Sequence, residues 1–167
     1  KYMEPGLYMF PAYQDTIRSC ILHSPLNPKK EYAYSDLGFI LLKFAVEHVT
    51  EKSLDQYCQE EFYRKLGMHH TDFLAHKRLN KNNLVPSCVD KLYRKTELKG
   101  YVHDPVAALL GGIAGHAGLF STAEDLAKMM QLYLNGGTYG GEYYFSPETM
   151  VTFSCKNNLF PKNRRGL

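Results

Sequence analysis

The chain has 167 residues, 44% of them hydrophobic, and 20 Lys and Arg against 17 Asp and Glu give a formal net charge of +3. That length fits one domain or a piece of one, and so small and scattered a charge argues against nucleic-acid binding; the basic residues Lys156, Lys162, Arg164 and Arg165 are interrupted by Asn157, Asn158, Leu159, Phe160 and Pro161 and read as a solvated surface. No stretch is long and apolar enough to span a bilayer, and no basic start leads into an apolar signal-peptide run, although Lys1 and the turn-like Glu4-Pro5-Gly6 do not read as a natural beginning.

In chain order, the pattern predicts a short helix over residues 13–23, broken by Ser24-Pro25-Leu26-Asn27-Pro28. A long helix is expected from about Ser35 to Val49. Leu37, Leu41, Phe44, Ala45 and His48 share one face, and Ile40 and Leu42 widen it, so the helix should be largely buried. Ser53-x-x-Gln56 has the form of a capping box, opening a helix to about Leu66 that Gly67 stops. Glu60 and Glu61 diverge on that helix and cannot work as a paired acid and base. Residues 75–100 are rich in Lys, Asn and Arg and read as a long irregular connection, of a length that is often functional.

Between Gly100 and Ser121 the glycines Gly111, Gly112, Gly115 and Gly118 imply left-handed turns or a backbone pressed closely against something. Ser121-x-x-Glu124 is then expected to cap a helix whose apolar stripe is Leu126, Met129, Met130, Tyr133 and Leu134. The methionine pair reads as core rather than as a cofactor contact. Asn135-Gly136-Gly137 ends this helix, Tyr139-Gly140-Gly141-Glu142 reads as a hairpin or tight turn, and Ser146-Pro147-Glu148 starts a last helix with serine at the N-cap and proline at N1.

Four cysteines, Cys20, Cys58, Cys88 and Cys155, lie far apart and form no Cys-x-x-Cys pair, which argues against a zinc knuckle or a redox motif. Two disulfides are arithmetically open, but Cys20 and Cys58 fall in helix-like segments, where a reduced, buried thiol is the default. His69, His70, His103 and His116, with Asp104, match no ligand spacing, so no metal site is assigned. The 13 tyrosines are dispersed and build no stacking platform.

The motif with most chemical content is Tyr34-Ser35-Asp36-Leu37-Gly38, a phenol and a carboxylate set just before an apolar helix. Free N–H groups and the helix dipole favour negative charge there, so a phenol beside a cation could act as a base. The plainer reading has Ser35 or Asp36 capping the helix and Tyr34 packed as a half-buried aromatic.

Tyr34-Ser35-Asp36-Leu37-Gly38-Phe39-Ile40-Leu41-Leu42 resembles the second motif of the serine beta-lactamase and penicillin-binding-protein-like superfamily. The block from Val102-His103-Asp104-Pro105 through Gly111-Gly112-Ile113-Ala114-Gly115-His116-Ala117-Gly118-Leu119-Phe120-Ser121-Thr122-Ala123-Glu124-Asp125-Leu126-Ala127 is similar to the downstream part of its class C-like branch. Within that branch it resembles most the beta-lactamase-like domains of Bacteroidetes, some fused to a glycoside hydrolase family 3 beta-N-acetylglucosaminidase. The resemblance runs from about Leu26 to Pro147. The fold implied is α/β, of the beta-lactamase and transpeptidase type. The chain would be its mainly α middle, a single truncated domain over 1–167, with most of the central sheet outside it.

The resemblance also implies acyl transfer. A Ser-x-x-Lys serine attacks an amide or ester carbonyl, a lysine and a tyrosine move protons, and a Lys/His-Thr/Ser-Gly strand helps form the oxyanion site. Tyr34 matches the tyrosine that serves as base or relay. Asp36 stands where asparagine is usual; an ionised aspartate cannot donate a hydrogen bond and would pair with the lysine instead. Gly115 and His116 fall in the block that the resemblance puts near the substrate cleft, where His116 either touches substrate or braces its loop.

No serine of the chain (Ser19, Ser24, Ser35, Ser53, Ser87, Ser121, Ser146 or Ser154) has lysine three residues on, and Lys95-Thr96-Glu97 lacks the glycine of the third motif. The resemblance therefore implies a fragment of a serine hydrolase, with no cofactor. Its substrate would be a beta-lactam, a peptidoglycan-related D-amino-acyl peptide or a small ester. It would be exported to the periplasm or cell envelope, with a fused glycosidase in the parent as an open option and little activity of the chain alone. The alternative is a non-catalytic cell-wall-binding or scaffold module of the same fold. An unrelated helical interaction domain leaves the glycines at 111–118 without a purpose.

Overall fold

The computed structural model describes residues 2–4, 7–10, 12–28 and 33–155. The basic residues Lys156, Lys162, Arg164 and Arg165, and the opening Lys1, Pro5 and Gly6, lie outside the described residues. In order come β1 (Tyr2–Glu4), β2 (Leu7–Tyr8), α1 (Tyr13–Leu22), α2 (Leu37–Thr50) and α3 (Leu54–Cys58), the last running into a π-helical turn at Gln59–Tyr63. Then follow β3 (Asp72–Phe73), α4 (Ala75–Arg78), a 3-10 turn at Lys81–Asn83, β4 (Pro86–Asp90), β5 (Thr96–Lys99) and α5 (Pro105–Leu109). The chain continues with β6 (Leu119–Phe120), α6 (Ala123–Leu134), β7 (Thr138–Tyr139), β8 (Glu142–Tyr143) and α7 (Pro147–Ser154). Among the described residues the strands form only antiparallel pairs, β1–β2, β3–β6, β4–β5 and β7–β8.

Two apolar clusters hold these elements together. One gathers Ile21 of α1, Ile40 of α2, Val102, Ala107 and Ala108 of α5, and Ala114. The other is built from Tyr63, Leu66, Met68 and Leu132, with Phe62 stacked on Phe145 at 5.5 Å between ring centroids. The first cluster fixes the start of α2 against α5 and the glycine-rich loop, and so determines where the Tyr34 motif stands.

Several expectations are corrected. The segment 75–100 is not irregular: β4 and β5 form a hairpin in which Cys88 faces Leu98. Its lysines and glutamate face outward while Leu98 is fully buried, a half-covered hairpin that the polar composition concealed. The Asp90 carboxylate makes the turn by accepting from the amides of Leu92 (2.9 Å) and Tyr93 (3.0 Å).

Ser53 makes no side-chain cap, and Gln56 instead donates to Glu60 at 2.9 Å. Helix α6 is capped one residue later than expected, by Thr122, whose hydroxyl accepts from the Asp125 amide at 3.2 Å. Ser121 is drawn away to Thr71, 2.7 Å between hydroxyls. The buried side of α6 centres on Leu132 with Met129 beside it, while Leu126, Met130, Tyr133 and Leu134 are exposed.

Helix α2 also departs from the reading as a buried helix. Ile40 is its one buried residue, and Leu37, Phe39, Leu41, Leu42 and Val49 are exposed. Its apolar residues surround the helix, yet the described residues cover it on the Ile40 side alone. All four cysteines are free, but Cys20 is exposed and Cys58 only half-buried, since Ile17 and Ile21 rather than Cys20 turn α1 toward the core.

Candidate active site

The motif lies at the entry to α2, as its sequence suggested. Tyr34 is 68% exposed, so it is not the half-buried packing aromatic of the plainer reading. Ser35 caps weakly, its hydroxyl accepting from the Leu37 amide at 3.2 Å. Asp36 occupies the N-cap position and its carbonyl accepts from the Ile40 amide at 3.1 Å, but its carboxylate makes no cap bond. That carboxylate is therefore not consumed by the helix end and faces a cleft.

The second half of the site is built by α5 and the glycine loop. Asp104-Pro105 is a helix start in which the aspartate caps and the proline fills the first turn. Asp104 Oδ1 accepts from the Ala107 amide at 2.7 Å and from His116 Nε2 at 2.9 Å. Because a carboxylate only accepts, Nε2 carries the hydrogen. Burial alone would raise the Asp104 carboxyl, but the Ala107 amide and then His116 outweigh it and hold it below its ordinary range. The His116 side chain is 4% exposed, and its Nδ1 is buried with no hydrogen-bond partner.

Gly111 and Gly112, at φ of 95° and 82°, turn the chain out of α5 in a conformation that L side chains rarely adopt. The loop then returns to α2 and seats Gly115 against the Phe39 carbonyl, where a Cβ would overlap the oxygen. Asp36, Asp104 and His116 consequently line one cleft of about 500 Å³, walled by Ile17, Ile21 and Ile40. The structure thus brings Asp36 and His116 together, with Gly115 beside them; Tyr34 precedes the same helix turn but is not part of that wall.

The other histidines point elsewhere. His103 Nδ1 lies 2.9 Å from Cys88 Sγ, and His69 and His70 line a different cleft with Arg78 and Glu124. Among the described residues no three His, Cys, Asp or Glu side chains are grouped so as to hold a metal ion. Sequence reasoning missed Asp104 as the partner of His116, although Asp-Pro before an apolar run is a helix-start signal. It also missed Arg94, which donates to Asp90 (2.6 Å) and to the carbonyls of Val102 (2.8 Å) and His103 (2.6 Å), fixing the approach to Asp104.

With this geometry in hand, known proteins fall into line. A family profile described as beta-lactamase matches residues 5–145. A relative from Escherichia coli K12, named as a candidate D-alanyl-D-alanine carboxypeptidase, is 40% identical over 151 residues, covering 82% of this chain and 35% of the relative. One of the same name from Salmonella gallinarum is 34% identical over 163 residues, covering 89% and 38%. The chain thus spans little more than a third of the length of the curated relatives it matches.

Among solved structures, the octameric penicillin-binding protein homologue from Pyrococcus abyssi superposes with a TM-score of 0.60 at 22% identity, over 89% of this chain and 32% of that one. The D-amino acid amidase from Ochrobactrum anthropi SV3 gives 0.60 at 16% identity, over 86% and 38%. At these identities the likeness is one of fold, and the fold is the helix-rich part of the beta-lactamase and penicillin-binding-protein architecture.

Proposed function

The chain belongs to the beta-lactamase family, and from that premise we propose that the protein it forms part of is a serine hydrolase acting by acyl transfer on D-amino-acyl peptides, with beta-lactams and small esters as further substrates. The observation that carries this reading is the exposed Tyr34 phenol at the entry of α2, with the Asp36 carboxylate, two residues on, uncommitted to the helix cap. The names of the curated relatives support the peptide class.

In this mechanism a serine hydroxyl from the remainder of the protein attacks the substrate carbonyl. Tyr34, as general base, takes the serine proton and then passes it to the leaving amine, so that the amide C–N bond breaks and an acyl ester remains. Water repeats the sequence on the ester and releases the acid. Asp36 pairs with the lysine cation of the Ser-x-x-Lys serine and so keeps that cation close to Tyr34. Gly115 and His116 belong to the wall of the substrate cleft. Since no serine of residues 1–167 has lysine three positions on, the isolated chain, treated as one truncated domain, should be inactive.

The test is D-alanine release from a D-alanyl-D-alanine peptide by the intact protein, alongside nitrocefin and ester turnover. Tyr34→Phe should reduce turnover by about a hundredfold or more. Full activity in that variant would remove Tyr34 from the chemistry. Tight binding of peptidoglycan fragments without any turnover would favour the non-catalytic cell-wall module instead. We place the protein in the periplasm or cell envelope, and a fused glycosidase remains part of the proposal; fractionation of cells and the mass of the intact protein test these two points.

A further inference from the structure

We propose that Asp104, His116 and Gly115 form a positioning brace that sets the direction in which α2 presents Tyr34 and Asp36. The inference rests on the catalytic reading of Tyr34 and adds residues that touch no reacting atom.

Tyr34 stands outside the helix just before α2, and the Asp36 carboxylate gives the helix start no cap. The placement of the first turn of α2 therefore depends on what packs against it. From the glycine loop, one residue packs on it and the next lines the cleft beside it. Gly115 is seated on the Phe39 carbonyl so closely that only glycine fits. His116, almost fully buried, shares a cleft wall with Asp36, Leu37 and Ile40. The loop is held in turn by Asp104, a single oxygen of which accepts from both the α5 start and the His116 ring. One carboxylate thus ties α5 to the loop that Gly115 seats on α2.

The unpartnered His116 Nδ1 supports a brace over a substrate contact. The atom is shut off from solvent, so a ligand could not reach it without moving the ring. The other ring nitrogen is the one tied down, with Nε2 donating to Asp104 Oδ1 at 2.9 Å. A fixed ring on a fixed carboxylate is what the positioning of a neighbouring helix end requires.

The experiment uses the intact protein with 3-fluorotyrosine incorporated at position 34, and at position 139 as a control. His116→Phe keeps a ring and removes the donor; His116→Gln returns an N–H within reach of Asp104. In His116→Phe the fluorine signal at 34 should shift and broaden while that at 139 stays in place. kcat should fall about ten- to a hundredfold with KM nearly unchanged. His116→Gln should recover part of both effects. If His116→Phe fails to fold, Asp104→Ser replaces it, because serine still caps the Ala107 amide but is too short to hold His116. An unchanged signal and unchanged kcat, with only a lower melting temperature, would overturn the brace. Full activity of Tyr34→Phe would instead overturn the catalytic reading, while the fluorine signal would still report on the geometry.

Discussion

Gly115 lies directly against the main-chain carbonyl of Phe39, which places the glycine-rich loop on the first turn of α2 with no room for a side chain. The obstacle is backbone in a helix and cannot swing aside as a side chain would. Gly115→Ala should therefore cost about 1–3 kcal/mol, the range for overpacking a tight contact. Gly38, in the first turn of the same helix, meets nothing within 4 Å. Gly38→Ala should stabilise by up to about 1 kcal/mol, because it lowers the entropy of the unfolded chain and adds no clash. Urea unfolding of the two variants gives opposite signs if the loop contact is as described.

Within α6 the two leucines near the end have different burdens. Leu132 is fully buried against Tyr63, Leu66 and Met68, and Leu134 is 80% exposed. Leu132→Ala should cost about 3 kcal/mol, from lost transfer energy and the cavity left behind. Leu134→Ala should remain within about 0.5 kcal/mol of the parent. Equal losses by thermal or denaturant unfolding would refute this orientation of the helix.

The sequence conveyed most where local chemistry decides structure. Ser146-Pro147 starts α7, with the serine hydroxyl accepting from the Thr149 amide at 3.0 Å, and Gly136 and Gly137 end α6 with positive φ. The Tyr139–Glu142 turn joins β7 to β8. The glycine block was legible for the same reason, since Gly111, Gly112 and Gly118 adopt φ values that other residues avoid. What escaped depends on distant partners. The face of α2 that is covered, and the inward side of α6, follow from which elements pack on them, and periodicity cannot supply that. The partnership of His116 with Asp104 spans a glycine turn, and the brace through Arg94 joins a hairpin turn to two carbonyls further along the chain. Neither leaves a local signature.

The Arg94 side chain is 2% exposed and ties Asp90 to the carbonyls just before Asp104. Arg94→Met keeps much of the apolar stem but removes the donor to Asp90 Oδ2 and to two carbonyls. The melting temperature should fall by several degrees, and the Ala107 amide should exchange faster as the 102–104 segment loosens. The Arg94 hydrogen bond is the main reason that the Asp90 carboxyl is held far below the usual carboxylate range. A group depressed in this way stabilises the fold above its unfolded value and ceases to do so as pH falls toward its folded one. The parent should therefore lose stability in acid, and Arg94→Met should show less of that loss. Parallel acid profiles for the two proteins would count against the pairing.

Asp125 is the clearest case of a buried charge held by donors from outside its own helix. It is 1% exposed, and its Oδ2 accepts from the His70 amide at 2.8 Å and the Thr71 hydroxyl at 2.9 Å, while Oδ1 accepts from Lys128 Nζ at 3.2 Å. Lys128 also donates to the Gly67 carbonyl, so the carboxylate joins α6 to the turn that follows the π-helical segment. Burial acts to raise the carboxyl, but the His70 amide, the Thr71 hydroxyl and Lys128 together overcome it and lower it. The folded value thus lies below the unfolded one of about 3.9. The stabilisation is present in full above that unfolded value and disappears as pH falls through the folded one. Asp125→Ala leaves the His70 amide without an acceptor in a buried place and the Thr71 hydroxyl with Ser121 alone, and should cost about 3 kcal/mol at pH 7. Measured from pH 7 down to pH 3, the gap between parent and variant should narrow as the carboxylate takes up its proton. A gap that stays constant over that range would mean that the charge contributes nothing and that only the shape of the side chain matters.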